Sequence, residues 1–362
     1  MYSQAELDAA VTAGALTPEA AQAFRDHVAA SRATPLVDEE HFRLLTGFND
    51  IFVSIAAILL LVAVGWIGGS IGGAFGGDGE GAVVTAGLGI AAVSWALSEY
   101  FTRQRRMALP SILLLLSFIG GVAFGLFGIV AMFDPTVDWS TGGLVVAVVA
   151  LLTAGAAWLH WRRFMVPITI AVGASALVAM VVSLVLAALP TDLAISAASP
   201  VTLLAGLATF AFAMWWDMSD TKRQTRRSDV AFWLHLTAAP LIAHPVFKMM
   251  GVFGGDIGAV QAIIVLALYL VFAFVALAID RRALLVSSLV YVLYALYSLF
   301  AKAGAVELGG ALTALVIGSA LLTLSAFWHP MRKMVVGTLG SLADRLPPVA
   351  VQPATASTQP SA

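Results

Sequence analysis

Apolar runs of about twenty residues recur along this chain, separated by short charged or glycine-rich breaks. They read at 48–72, 82–101, 109–133, 142–161, 164–189, 200–216, 230–253, 259–279, 283–303 and 308–328. At about 1.5 Å per residue each can cross a hydrocarbon core of roughly 30 Å, with 200–216 at the short limit. A water-soluble fold has no use for such runs. Hydrophobic residues make up 60% of the chain and charged residues 11%, against roughly 45–50% and about 25% in soluble proteins. The expected fold class is therefore all-α: a polytopic transmembrane helix bundle of about ten spans.

Charge placement tests the span count independently. With the N-terminus inside and the sides alternating, every Lys and Arg falls on inner segments except Lys248 and Lys302. The outer loops instead carry Asp78, Glu80, Asp134, Asp138, Asp192, Asp256 and Glu307. Lys/Arg bias near span ends sets orientation, so both termini are expected in the cytoplasm. A wrong odd number of spans would scramble this pattern. Basic pairs precede a span four times, with second arginines Arg106, Arg163, Arg227 and Arg282. Two readings stand: repeated helical hairpins, or a topology that demands arginine at every inner turn. No convincing match joins the two halves as an inverted repeat.

Three regions follow. Residues 1–47 read as a cytoplasmic helical hairpin rather than a cleavable signal, because the first apolar run begins near Ile51. Gly14 is placed to stop its first helix, and Thr17-Pro18-Glu19 to start the second. Leu7, Val11 and Leu16 can meet Ala20, Phe24 and Val28 in a small apolar contact. Residues 48–328 form the ten-span domain. Residues 329–362 form a cytoplasmic tail, disordered from about 346, where proline, alanine and small polar residues show no apolar period.

Ionisable residues inside spans are costly and are the default functional candidates. Span seven contains "DVAFWLHLTAAPLIAHPVFKMM", and His244 lies within about a turn of its midpoint. Thr237, Leu241, His244 and Lys248 share one stripe, while His235 lies on the opposite face near the inner interface. Pro240 and Pro245 free the carbonyls of Leu236 and Leu241, which favours a kinked helix facing protein. In span nine, Ser287, Tyr291, Tyr294, Ser298 and Lys302 form a polar stripe, with Glu307 near its outer mouth. Such a stripe suits a water path, or hydroxyls bonded across a helix interface. His244 suits proton coupling or solute binding, or a neutral hydrogen bond between helices.

Other chemistry is thinly represented. The chain has no cysteine, so thiolate metal sites and cysteine nucleophiles are excluded. His235 and His244 cannot share a metal across opposite faces, and no metal site or cofactor is expected. No catalytic motif of zinc-protease or serine-hydrolase type is present, which leaves a lipid-processing enzyme least supported. The charge of −2 and the lack of a basic block point to no nucleic acid partner. Gly65, Gly69 and Gly73, like Gly121 and Gly125, have the spacing of close helix packing. Asn49, Asp50 and Glu99 read as interfacial caps or partners for nearby arginines, and "DMSDTKRQTRRSD" as a solvated inner turn.

The stretches "YFTRQRRMALPSILLLLSFIGG", "DMSDTKRQTRRSDVAFWLHLTAAPLIAHP" and "GALTPEAAQAF" resemble segments of uncharacterised bacterial multi-spanning membrane proteins, of the kind grouped as domains of unknown function. That resemblance implies a bacterial inner-membrane protein and supplies no functional residues. Two functions remain open. One is a transporter-like protein for a small solute, proton-coupled through His244, with Lys248 and Lys302 guiding an anion. The other is a non-transporting scaffold or sensor whose N-terminal hairpin contacts a protein partner.

Overall fold

The computed structural model describes residues 10–24, 48–74, 79–133, 139–221, 225–252, 259–302 and 308–349. It is helical throughout, with no strand among the described residues. The chain divides into two compact units, Met1–Phe42 with Pro348–Ala362, and Arg43–Pro347.

In the first unit, helical residues 10–12 end at Gly14, whose φ of 72° lies in the left-handed region that glycine enters at little cost. Thr17 Oγ1 accepts a hydrogen bond from the Ala20 amide at 3.1 Å and caps the helical residues 18–24. Leu16 and Phe24 remain exposed. Leu7 and Val28, two further members of that expected contact, lie outside the described residues.

The second unit is a bundle of α1 (Phe48–Ala74), α2 (Glu80–Ser98), α3 (Ala108–Phe133), α4 (Trp139–Phe164), α5 (Ile168–Ala187), α6 (Thr191–Met218), α7 (Arg226–Met249), α8 (Ala259–Ile279), α9 (Ala283–Lys302), α10 (Gly309–Ala326) and α11 (Trp328–Gly337). Among the described residues, nine of these helices are long and apolar enough to cross a membrane. They are α1 to α8 and α10; the apolar stretch of α9 is shorter, Leu284–Phe300. Bulky apolar side chains such as Trp66, Leu59, Phe133 and Leu322 are exposed along them, a surface suited to lipid and unsuited to water.

Three boundaries depart from the sequence reading. α6 begins at Thr191 and runs through Pro200, where the apolar run alone suggested a start. Proline removes one helical hydrogen bond, but the small and polar residues before it remain compatible with a helix. α2 continues as a π-helical turn, Glu99–Gln104. Residues just past the last span form α11 and a 3-10 turn, Gly340–Arg345, and α11 packs on α8.

Glycine sets how closely the first three helices approach. In α1 the contact seam is Gly65, Gly68 and Gly72, against Ile90, Ala86 and Gly81 of α2. Thr85 Oγ1 donates to the Gly68 carbonyl at 2.5 Å across it. Gly73 meets nothing, so the expected 65/69/73 stripe is corrected by about a residue; an α-helix turns 100° per residue, which favours alternating three- and four-residue steps. Gly121 and Gly125 do form a seam, against Gly87 of α2.

Even-numbered helices end together at arginine-bearing turns. Glu99, at the end of α2, takes two bonds from Arg163 of α4, at 2.6 and 2.9 Å, and one from Arg103 at 3.3 Å. These turns use left-handed residues, Arg106, Met165 and Asp280. Each lies at a different offset from its arginine pair, so the pairs are not structurally equivalent. This favours topology over duplication as the reason for the recurring pairs.

Candidate functional site: the polar side chains of α7

α7 is the most enclosed of those nine helices, with 50% of its apolar stretch buried against 6–39% in the other eight. It packs on α5, α6 and α9. Thr225 caps its start, accepting from the Arg227 amide at 3.2 Å while its own amide and hydroxyl donate to Asp220. The helix is continuous through Pro240 and Pro245. The carbonyl of Leu241, which Pro245 deprives of its helical donor, is covered by Gly206 of α6: a Cβ there would lie 2.7 Å from that oxygen. The freed carbonyl therefore faces protein rather than lipid.

His244 and the span-nine stripe do meet. His244 Nδ1 lies 3.0 Å from the Tyr291 hydroxyl, and the Tyr291 ring stacks on Phe247 at 4.4 Å between centroids. His244, Lys248 and Tyr294 are exposed on the outside of the single chain. Ser298 is half-buried, and Thr237 Oγ1 donates to the Trp233 carbonyl of its own helix. The side chains of Ser287 and Lys302, and Glu307 altogether, lie outside the described residues. Tyr291→Phe keeps the stacking and removes the hydroxyl, so the detergent-solubilised protein should lose only about 1 kcal/mol. Tyr291→Ala should cost about 3–5 kcal/mol, and thermal unfolding measures both.

His235 is fully buried in the bundle, its Nε2 is 3.3 Å from Asp217 Oδ2, and its ring packs edge-on against Phe210. Asp217, expected in a solvated turn, is 1% exposed at the end of α6. Arg281, from the α8–α9 turn, grips it with a two-pronged pair: Nε to Oδ2 at 3.1 Å and Nη2 to Oδ1 at 2.6 Å. The same Nη2 donates to the Ser228 carbonyl of α7 at 3.2 Å. Carboxylate and guanidinium match bidentately, which makes this the strong form of the contact.

The neighbours of Arg281 tie down a further element. Asp280 Oδ1 accepts from Trp328 Nε1 at 2.8 Å and lies 3.5 Å from Arg332 Nε. The Arg282 guanidinium sits over the Trp328 ring, 4.6 Å from its centroid. Arg332 also donates to the Pro347 carbonyl at 2.5 Å. Burial lowers the pKa of Arg332, and the Asp280 carboxylate opposes that shift. The "DRR" turn thus joins α6, α7, α8 and α11.

A third histidine, His160 of α4, is fully buried among Trp95, Phe118 and Phe164, with Nδ1 3.5 Å from Thr169 Oγ1. The signal for it was present in "WLHWRRF", a histidine inside an aromatic run. No set of three metal-ligating side chains occurs among the described residues. Comparison with family models, curated proteins and solved structures finds no match to this chain.

Proposed function

We propose that this chain is a ten-span bacterial inner-membrane protein that moves a small anionic solute together with protons. Its basic turns and both termini would face the cytoplasm, a reading that the arginine distribution supports. The observation that carries the reading is that α7 presents two histidines to polar partners on different helices. His244 pairs with Tyr291, and His235 contacts the Asp217–Arg281 pair.

Charge balance gives the solute its sign. With neutral His235 the Asp217–Arg281 pair has no net charge; a proton on His235 adds one positive charge in a buried place. An anion that arrives with the proton offsets that cost. Lys248 supplies an attracting charge at the far end of α7.

The closed Asp217–Arg281 pairing supports a second reading, a non-transporting scaffold or sensor. Here the basic end would be a lock, and the N-terminal hairpin a contact for a protein partner. Proteoliposomes containing a pH dye separate the two when challenged with a panel of small organic anions. Transport predicts anion-dependent proton movement above empty vesicles, abolished in both His244→Gln and His235→Gln. Equality with empty vesicles for every anion overturns it. A phenotype on deleting 1–47 alone supports the sensor.

A further inference from the structure

A cleft of about 420 Å³ opens at the arginine-bearing end of α1 and α2, apart from the polar residues of α7. Asn49, Asp50 and Val53 of α1 line one side; Tyr100, Phe101 and Arg105, on and just after the π-helical turn, line the other. The volume is within the range of small-molecule sites. A π-turn carries an extra residue per turn, costs helix stability, and recurs where side chains are splayed towards a ligand. From these features we infer that the cleft binds a primary ammonium joined to a phosphate, the headgroup chemistry of an ethanolamine phospholipid.

Each half of that zwitterion has a counterpart. Arg105 donates its Nε to the Tyr100 hydroxyl at 3.0 Å, and its guanidinium lies 5.4 Å from the centre of that ring. This arrangement orients the fork, whose five N–H groups exceed the one used, so its terminal nitrogens can hold phosphate oxygens. Asp50 is 3% exposed and has contacts within the protein. A carboxylate offers about four acceptor positions, so it takes an ammonium in addition. Asn49 adds a carboxamide.

The choice of ammonium follows from hydrogen bonding. A primary ammonium donates to Asp50, whereas a quaternary one has no N–H to give. A glycerol headgroup lacks the cation, and a serine headgroup places a second carboxylate beside Asp50. Along the face of α1 that carries Asn49 and Val53, Leu60 and Ile67 follow Val53 at seven-residue steps and are exposed. Acyl chains have that track to follow. Free phosphoethanolamine shares the headgroup chemistry without the track.

The test is native mass spectrometry of the full chain in detergent, with phosphatidylethanolamine, phosphatidylcholine and phosphatidylglycerol added in turn. Ethanolamine lipid should bind at least about tenfold more tightly than the other two, the scale of a charge-assisted hydrogen bond. Arg105→Glu should reduce it to the choline level, and Arg105→Lys should restore much of it. Arg105 is exposed and its contacts with Tyr100 are surface ones, so both variants should keep the melting temperature of lipid-free protein within a few degrees. Asp50→Asn should also weaken binding if that variant folds. Competition assigns the source. Displacement by equimolar O-phosphoethanolamine means a soluble ligand, and displacement only by large excess means the lipid. Equal binding of the three lipids, or ethanolamine lipid binding unchanged in Arg105→Glu, overturns the inference.

Discussion

Asp217→Leu should destabilise the detergent-solubilised protein by about 3–5 kcal/mol, the cost of leaving a buried partner charge uncompensated. The loss arises because Arg281 is 2% exposed and cannot turn to water once its carboxylate is gone. Its bond to the Ser228 carbonyl does not neutralise it. Arg281→Met should be similarly severe, now stranding Asp217. The double variant Asp217→Leu with Arg281→Met should recover most of the loss, because a well-packed apolar pair replaces a buried ion pair at little cost. Thermal unfolding of the three variants decides it. If the double variant equals the sum of the singles, the pair is not a closed unit.

The second large effect contrasts neighbouring residues of α3. Gly121→Val should separate α2 from α3, whereas Gly120→Val should leave stability within about 0.5 kcal/mol. A Cβ at Gly121 would lie 2.6 Å from the Gly87 carbonyl oxygen and 2.8 Å from the Ala91 amide nitrogen, while one at Gly120 meets nothing within 4 Å. Overpacking against side chains costs about 1–3 kcal/mol, since they can change rotamer. Here the obstructing atoms are backbone, so the helices must move apart and the loss should reach or exceed that range. Heating and size-exclusion chromatography of both variants measure the contrast.

Much of the membrane architecture was legible because a bilayer leaves few options. Apolar length gives the helices, and arginine placement gives the common end that Glu99–Arg163 and Asp217–Arg281 tie together. The start of α6 was misplaced because Pro200 ended the apolar run, although a proline can sit inside a helix that began earlier. Both members of the His244–Tyr291 contact were candidates on separate polar stripes, but their meeting is a result of the fold. The His235–Asp217–Arg281 cluster was not legible. Its members come from three separate segments, and Asp217 borders a charged turn whose composition reads as solvated. The available signal was an acid and two arginines in consecutive positions at the end of an apolar span, 280–282. A turn needing only positive charge has no reason to include that aspartate, which marks the turn as a contact point although it bonds Trp328 rather than the cluster itself.

Thiol accessibility tests the central claim, that water reaches the polar face shared by α7 and α9. The chain has no cysteine, so single cysteines at 244, 291, 294 and 298 report on a clean background. In membranes, a charged, water-soluble thiol reagent should label these positions. Labelling by membrane-soluble maleimide alone, at all four positions, would place the face against lipid and contradict the account.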